Sequence, residues 1–126
     1  MIVRYLTVAD VIAIHDMQIE RFGGADGLRD PGALESALFR PQSGYYKDLF
    51  QEAAALWESL SQNHPFVDGN KRTAFVSTFL FLSVNNLEVT ATGKEGLDFV
   101  ADCYENATAN YETFEIWLRS NTKAVL

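Results

Sequence analysis

The chain has 126 residues, a formal net charge of −7 and 48% hydrophobic residues, enough apolar surface for one domain (residues 1–126) without a disulfide or metal staple. That composition excludes a disordered chain, and no stretch approaches the ~20 apolar residues of a membrane span. The acidic balance argues against direct nucleic-acid binding, because the cations are scattered except for the adjacent pair Lys71-Arg72. Cys103 is the single cysteine and cannot close an internal disulfide, and Met1-Ile2-Val3-Arg4-Tyr5 lacks the apolar run of a signal peptide. A cytoplasmic protein without membrane partners is expected.

The elements read as a succession of helices. Val8, Val11, Ile12, His15, Ile19 and Phe22 recur at helical spacing and predict a first helix over Val8 to Arg21. Thr7 and Asp10 form its capping box, and Gly23-Gly24 stops it. Arg21 suits the helix C-terminus, and His15 reads as a hydrogen-bonded core or boundary residue. Asp30 caps a second helix with Pro31 in its first position, running to about Phe39, before Pro41. Pro41 to Lys47 carries turn chemistry and is expected to form a loop or a small hairpin flap, with Tyr45 and Tyr46 candidates for substrate docking. Leu49, Ala53, Leu56, Trp57 and Leu60 stripe a third helix from about Asp48 to Asn63. It breaks at His64-Pro65, because the residue before proline is disfavoured in the α region.

A fourth helix, from about Asn70 to Asn85, is apolar almost all round through Ala74, Phe75, Val76, Phe79, Leu80, Phe81, Leu82 and Val84. Such a helix belongs at the centre of a fold. Leu87 to Ala91 alternates as a short extended piece, with Ile2 to Leu6 as its expected partner. Thr92 and Glu95 make a capping box for a fifth helix, with Leu97, Val100, Ala101 and Tyr104 on its apolar face and Cys103 taken as packing. A sixth covers about Glu112 to Ser120, with Phe114, Trp117 and Leu118 inward. The predicted fold class is all-α: about six helices around a central buried one, with one short β pair.

Chemistry concentrates in Asn63-His64-Pro65-Phe66-Val67-Asp68-Gly69-Asn70-Lys71-Arg72-Thr73. Lys71 and Arg72 fall in the opening turn of a helix, where the dipole already places positive charge, so two cations there make sense if an anion binds. The backbone N–H groups of Gly69, Asn70 and Lys71 are available to a phosphate, and Gly69 permits close approach. Arg72 offers two-point contact with phosphate oxygens and Lys71 a point charge. Asp68 would be repelled by a bound phosphate unless a divalent cation lay between them, which makes it the candidate Mg²⁺ ligand. His64, one short loop earlier, is the candidate general base. Taken singly, each has a plainer reading: a packed or surface histidine, an N-capping aspartate, a solvated basic face. Their joint occurrence at one loop-to-helix junction favours an anion-binding catalytic site.

His64-Pro65-Phe66-Val67-Asp68-Gly69-Asn70-Lys71-Arg72 resembles the core motif of the Fic/Doc superfamily, in its Doc branch of toxin–antitoxin toxins. Phe22-Gly23-Gly24, Gly27-Leu28-Arg29-Asp30-Pro31-Gly32, Ser36-Ala37-Leu38, Arg40-Pro41 and Asn70-Lys71-Arg72-Thr73-Ala74 are similar to that branch as well. The resemblance implies a Fic-type helical domain in which His64 activates a hydroxyl of a target protein and Asp68 helps hold Mg²⁺. It further implies that Gly69 and Asn70 contribute to an anion hole while Lys71 and Arg72 bind the phosphates of ATP. Nucleotide-transferring relatives carry a glycine where Lys71 stands and a second arginine where Phe75 stands. These departures favour the Doc-type reaction, transfer of the γ-phosphate to a threonine or serine of a translation factor such as elongation factor Tu. The alternatives are AMP transfer by the same residues and a non-catalytic antitoxin-binding module. The resemblance also implies a Phd-like antitoxin as partner. No segment fits the self-inhibiting helix found in many Fic enzymes: Thr108 and Glu112 have its spacing, but Thr113 follows.

Overall fold

The computed structural model describes residues 2–125. Six helices follow one another: α1 (Val8–Phe22), α2 (Pro31–Phe39), α3 (Leu49–Gln62), α4 (Asn70–Val84), α5 (Gly93–Glu105) and α6 (Tyr111–Ser120). Two three-residue strands, β1 (Leu87–Val89) and β2 (Thr122–Ala124), complete the fold. Most helices start where a short polar side chain accepts a backbone N–H two or three residues into the helix. Thr7, Asp30, Asp48, Thr92 and Asn110 each do so, and Thr7–Asp10 and Thr92–Glu95 close reciprocal capping boxes. Among the six described α-helices, α4 alone begins on a glycine and has no side-chain cap.

α4 is the central element, packed between α1 and α3. Thr73, Ala74, Phe75, Ser77, Thr78, Phe81 and Leu82 are buried along it, while Leu80 and Ser83 leave a narrow exposed strip. α3 buries Ala53, Ala54, Ala55, Leu56, Trp57 and Leu60. The small alanines let α3 and α4 approach closely, and Trp57 fills the space beyond. Its ring stacks on Phe114 of α6 at 4.2 Å and meets Phe75, Phe99 and Trp117 edge-on.

One expectation is corrected and two are narrowed. β1 pairs antiparallel with β2, Leu87 opposite Ala124, and not with Ile2 to Leu6. The N-terminal segment is held instead by Asn85, whose side chain accepts from the Arg4 N–H and donates to the Arg4 carbonyl. A strand of three residues is too short for its alternation to select a partner. Of the two forms expected for Pro41 to Lys47 the structure takes the loop: a 3-10 turn at Arg40–Gln42 and then irregular chain, with no hairpin. Arg40 organises it: Nε donates to the Tyr46 hydroxyl at 2.7 Å, and Nη1 pairs with Glu58 at 2.9 Å. On α5 the expected face is met in part: Val100 and Tyr104 are half-buried, Leu97 and Ala101 are exposed, and Gly96, Phe99 and Cys103 are further inward positions. Gly96 abuts the Cζ end of the Phe75 ring, a contact that no apolar periodicity reports. No described helix is long and apolar enough to cross a membrane.

Candidate active site

The motif loop runs from the end of α3 to the start of α4, and its shape is fixed by three tethers. The first is Arg29. Its Nε donates to the His64 carbonyl at 2.8 Å and its Nη2 to the Asn63 carbonyl at 3.1 Å, covering the carbonyl end of α3 with a cation. The backbone N–H groups of Arg29 and Asp30 both donate to the Pro65 carbonyl, and the Val67 N–H donates to the Gly27 carbonyl. Residues 27–30 thus lie alongside the loop as a short brace, paired at Leu28 and Phe66. His64 itself has φ 48°, in the left-handed region that a β-carbon disfavours. The brace holds it there.

The second tether is Asn70. Its side-chain oxygen accepts the Phe66 N–H at 3.0 Å and its amide donates to the Phe66 carbonyl at 2.9 Å. The amide thus clasps Phe66 from both sides, and Asn70 leaves its backbone N–H and one amide N–H for an anion. The third tether is His15 on α1, 1% exposed, whose Nε2 lies 2.8 Å from the Asp68 carbonyl and whose ring stacks on Phe66 at 3.9 Å. The expectation of a hydrogen-bonded core histidine holds, and its role is to position the loop.

Asp68 does not cap α4. The N-cap is Gly69, in the left-handed region at φ 75°, and the first intrahelical bond runs from the Thr73 N–H to the Gly69 carbonyl. The N–H groups of Asn70, Lys71 and Arg72 consequently have no partner within the helix. The Asp68 carboxylate turns back to accept the Ala25 N–H at 3.1 Å on one oxygen and the Gly69 N–H at 2.8 Å on the other, so the Gly69 N–H expected to serve a phosphate is already taken and the free set is Asn70, Lys71 and Arg72. These N–H groups, Ala25 first and then Gly69, hold its carboxyl below the usual range, with smaller help from His15 and Arg72. Each oxygen keeps lone-pair capacity for a cation. Gly24, at φ 110°, is what lets Ala25 approach: a β-carbon there would sit 2.8 Å from the Asp68 oxygen.

The structure brings His64, Asp68, Gly69, Asn70, Lys71 and Arg72 together around one cavity of about 440 Å³, which Val67 also lines. His64 is exposed to it, and its imidazole makes no hydrogen bond among the described residues. The two cations are splayed on aromatic platforms. Lys71 Nζ stands 4.0 Å over the Tyr104 ring of α5, and the Arg72 guanidinium 4.3 Å over the Phe22 ring of α1. Phe22 belongs to the predicted apolar stripe of α1, yet it is 54% exposed and supports Arg72. The arrangement can take an anion on the uncapped helix end, flank it with two cations, and present a histidine beside it. Sequence reasoning missed Arg29, Gly24 and Ala25 as parts of this site. Their signal lay in the Phe22-Gly23-Gly24 and Gly27-to-Gly32 blocks, which are distant in the chain from the residues they position.

The Fic/DOC family model matches residues 5–82, from the N-terminal segment into α4. The chain is 36% identical over 115 residues to "Protein kinase doc" of Escherichia phage P1, covering 79% of this chain and 91% of that protein. It is 40% identical over 92 residues to "Toxin Doc" of Mycolicibacterium smegmatis, covering 69% of this chain and 68% of that protein. With its central α4, its motif loop and the brace that shapes it, this chain belongs to the Fic/DOC family.

Proposed function

We propose that the protein is a Doc-type toxin of a toxin–antitoxin system, a kinase that transfers the γ-phosphate of ATP to a threonine or serine hydroxyl of a translation factor. The observation that carries this reading is the single cavity in which His64 faces the uncapped N-terminus of α4 between Lys71 and Arg72. The names of the two relatives, a protein kinase and a toxin, support the same class.

In this reading the N–H groups of Asn70, Lys71 and Arg72 receive the transferred phosphate, and the two side chains offset its charge. His64 accepts the proton of the attacking hydroxyl. As the hydroxyl oxygen bonds to the γ-phosphorus, the bond from that phosphorus to the β,γ-bridging oxygen breaks, and ADP leaves. Asp68, whose carboxyl is kept ionised by Ala25 and Gly69, suits a Mg²⁺ site, and the ion would supply charge neutralisation between carboxylate and phosphates. Phe75 is buried against Gly96 and Trp57, where nucleotide-transferring enzymes of this kind carry an arginine, so no second guanidinium reaches the phosphates from that position. This favours γ- over α-phosphate chemistry. An elongation factor Tu-like target, a Phd-like antitoxin that silences the toxin, and a cytoplasmic setting belong to the same proposal.

The test is ATP labelled on either the γ- or the α-phosphate, incubated with the protein, Mg²⁺ and elongation factor Tu. Label passing to protein from the γ-position alone is expected, and loss of it in His64→Ala. Transfer from the α-position alone would establish AMP transfer instead. Growth inhibition undiminished by His64→Ala would leave only a non-catalytic module.

A further inference from the structure

His15 uses only one of its two ring nitrogens. Nε2 faces the Asp68 carbonyl at 2.8 Å, and a carbonyl can only accept, so Nε2 carries the proton. In the neutral ring Nδ1 then holds a lone pair. The ring is 1% exposed and its plane is fixed by the stack on Phe66 at 3.9 Å and 5°. Nδ1 therefore points in one direction, and the Asp16 carboxylate stands on that side. Asp16 Oδ1 lies 3.9 Å from Nδ1, beyond hydrogen-bond reach. Asp26, from the loop after α1, contributes a second carboxylate, and one ligand atom from each of the three residues lies within 4.8 Å of the other two.

We propose that His15, Asp16 and Asp26 form a binding site for a divalent transition-metal ion of the Zn²⁺ type, separate from the phosphate cavity. One imidazole nitrogen with two carboxylates suits such an ion, whereas Mg²⁺ prefers an all-oxygen shell. A ligating histidine whose other N–H donates to a backbone carbonyl is the arrangement that orients a metal ligand and raises its basicity. Metal–ligand bonds of about 2.1 Å require the three atoms to draw closer than they now stand. Both aspartates are exposed, so their side chains can turn inward while the buried imidazole stays fixed.

The placement has a consequence for the motif loop. The ion ties α1 to the loop holding Asp26, and the neighbouring Ala25 N–H is the one that fixes the Asp68 carboxylate. On its other side His15 holds the Asp68 carbonyl. A metal on Nδ1 makes the Nε2–H a stronger donor, so occupancy steadies the loop through both connections. The site is independent of which phosphate is transferred.

The test titrates the full-length protein with Zn²⁺ in the presence of excess Mg²⁺, followed by calorimetry and by the ¹⁵N resonances of the imidazoles. The chain has two histidines, so the spectrum separates His15 from His64. Saturation near one equivalent is expected, with the His15 Nδ1 resonance shifting and His64 unmoved. Asp16→Asn and Asp26→Asn should each weaken binding by about tenfold or more, in line with removal of one metal ligand or its support. Both variants alter exposed residues and are expected to stay folded. No saturable binding, binding that survives the double substitution, or a shift confined to His64 would each overturn the proposal.

Discussion

Arg29→Ala should cripple the proposed reaction while leaving the anion site intact. His64 has φ 48°, a conformation that costs a non-glycine residue about 1–2 kcal/mol. Arg29 opposes that cost with two hydrogen bonds from a cation, to the carbonyls of His64 and Asn63 at 2.8 and 3.1 Å. Because these bonds are exposed, each is worth roughly 1 kcal/mol, at the lower end for charged donors. Their loss of about 2 kcal/mol is enough to let His64 relax, and a relaxed imidazole is displaced from the cavity. Converted at 1.36 kcal/mol per decade, the expected fall in kcat is roughly 10- to 30-fold. KM for ATP should change by less than about twofold, since the N–H groups of α4 and its two cations do not depend on Arg29. Arg29→Lys keeps the charge but not the planar fork, and should recover only part of the rate. The assay is steady-state γ-phosphate transfer to elongation factor Tu, run well below the melting temperature of each variant. An unchanged kcat, or a loss appearing equally as a rise in KM, would refute the claim that the brace works by setting His64.

Three further changes probe the same junction. Gly24→Ala places a β-carbon 2.8 Å from the Asp68 oxygen at φ 110°, and should raise the Mg²⁺ concentration needed for half-maximal rate, read from a metal titration. Asp68→Asn should lower the melting temperature at pH 7, and the difference should shrink as the pH falls below 3.8. The folded carboxyl is held below its ordinary value of 3.8, so its stabilisation is present above that value and lost as the pH falls through the folded one. A difference that stays constant as the pH falls from 7 to well below 3.8 would mean that Asp68 acts by shape and not by charge. Gly96→Ala drives a methyl group into the Phe75 ring and should destabilise the fold by about 1–3 kcal/mol in urea. Adding Phe75→Leu should recover part of that loss, because the two residues share one contact.

The helices were legible because their signals are local. The Thr7–Asp10 and Thr92–Glu95 boxes, Asp30 before Pro31, and the Leu49-to-Leu60 stripe each lie within a few residues of the element they define. The partner of β1 was not legible, since three residues of alternation fit more than one neighbour. α5 misled for a different reason. Its inward face is set by Gly96, which has no side chain to register as apolar, so Leu97 and Ala101 dominated the pattern although they face solvent. The same limit applies to the site. His64, Asp68, Lys71 and Arg72 are neighbours in the chain and could be read as a group. Arg29 and Gly24 act from roughly 35 to 45 residues away through backbone carbonyls and N–H groups, which carry no side-chain signature.

That division bears on where the specificity of this fold resides. Every side chain that tethers the loop bonds to main chain: Arg29 to the His64 and Asn63 carbonyls, Asn70 to Phe66, His15 to the Asp68 carbonyl, Asp68 to Ala25 and Gly69. Fixing backbone in this way leaves the side chains of His64, Lys71 and Arg72 free to face the cavity, with only aromatic rings beneath the two cations. A ring directs a cation without neutralising it, whereas a carboxylate partner would cancel the charge that an anion needs. Asp68 is the one acidic side chain lining the cavity among the described residues, and its carboxylate is turned back onto two N–H groups. The junction therefore keeps its positive field for whatever anion enters, and the same turn leaves Asp68 ionised and positioned for a divalent cation that arrives with it.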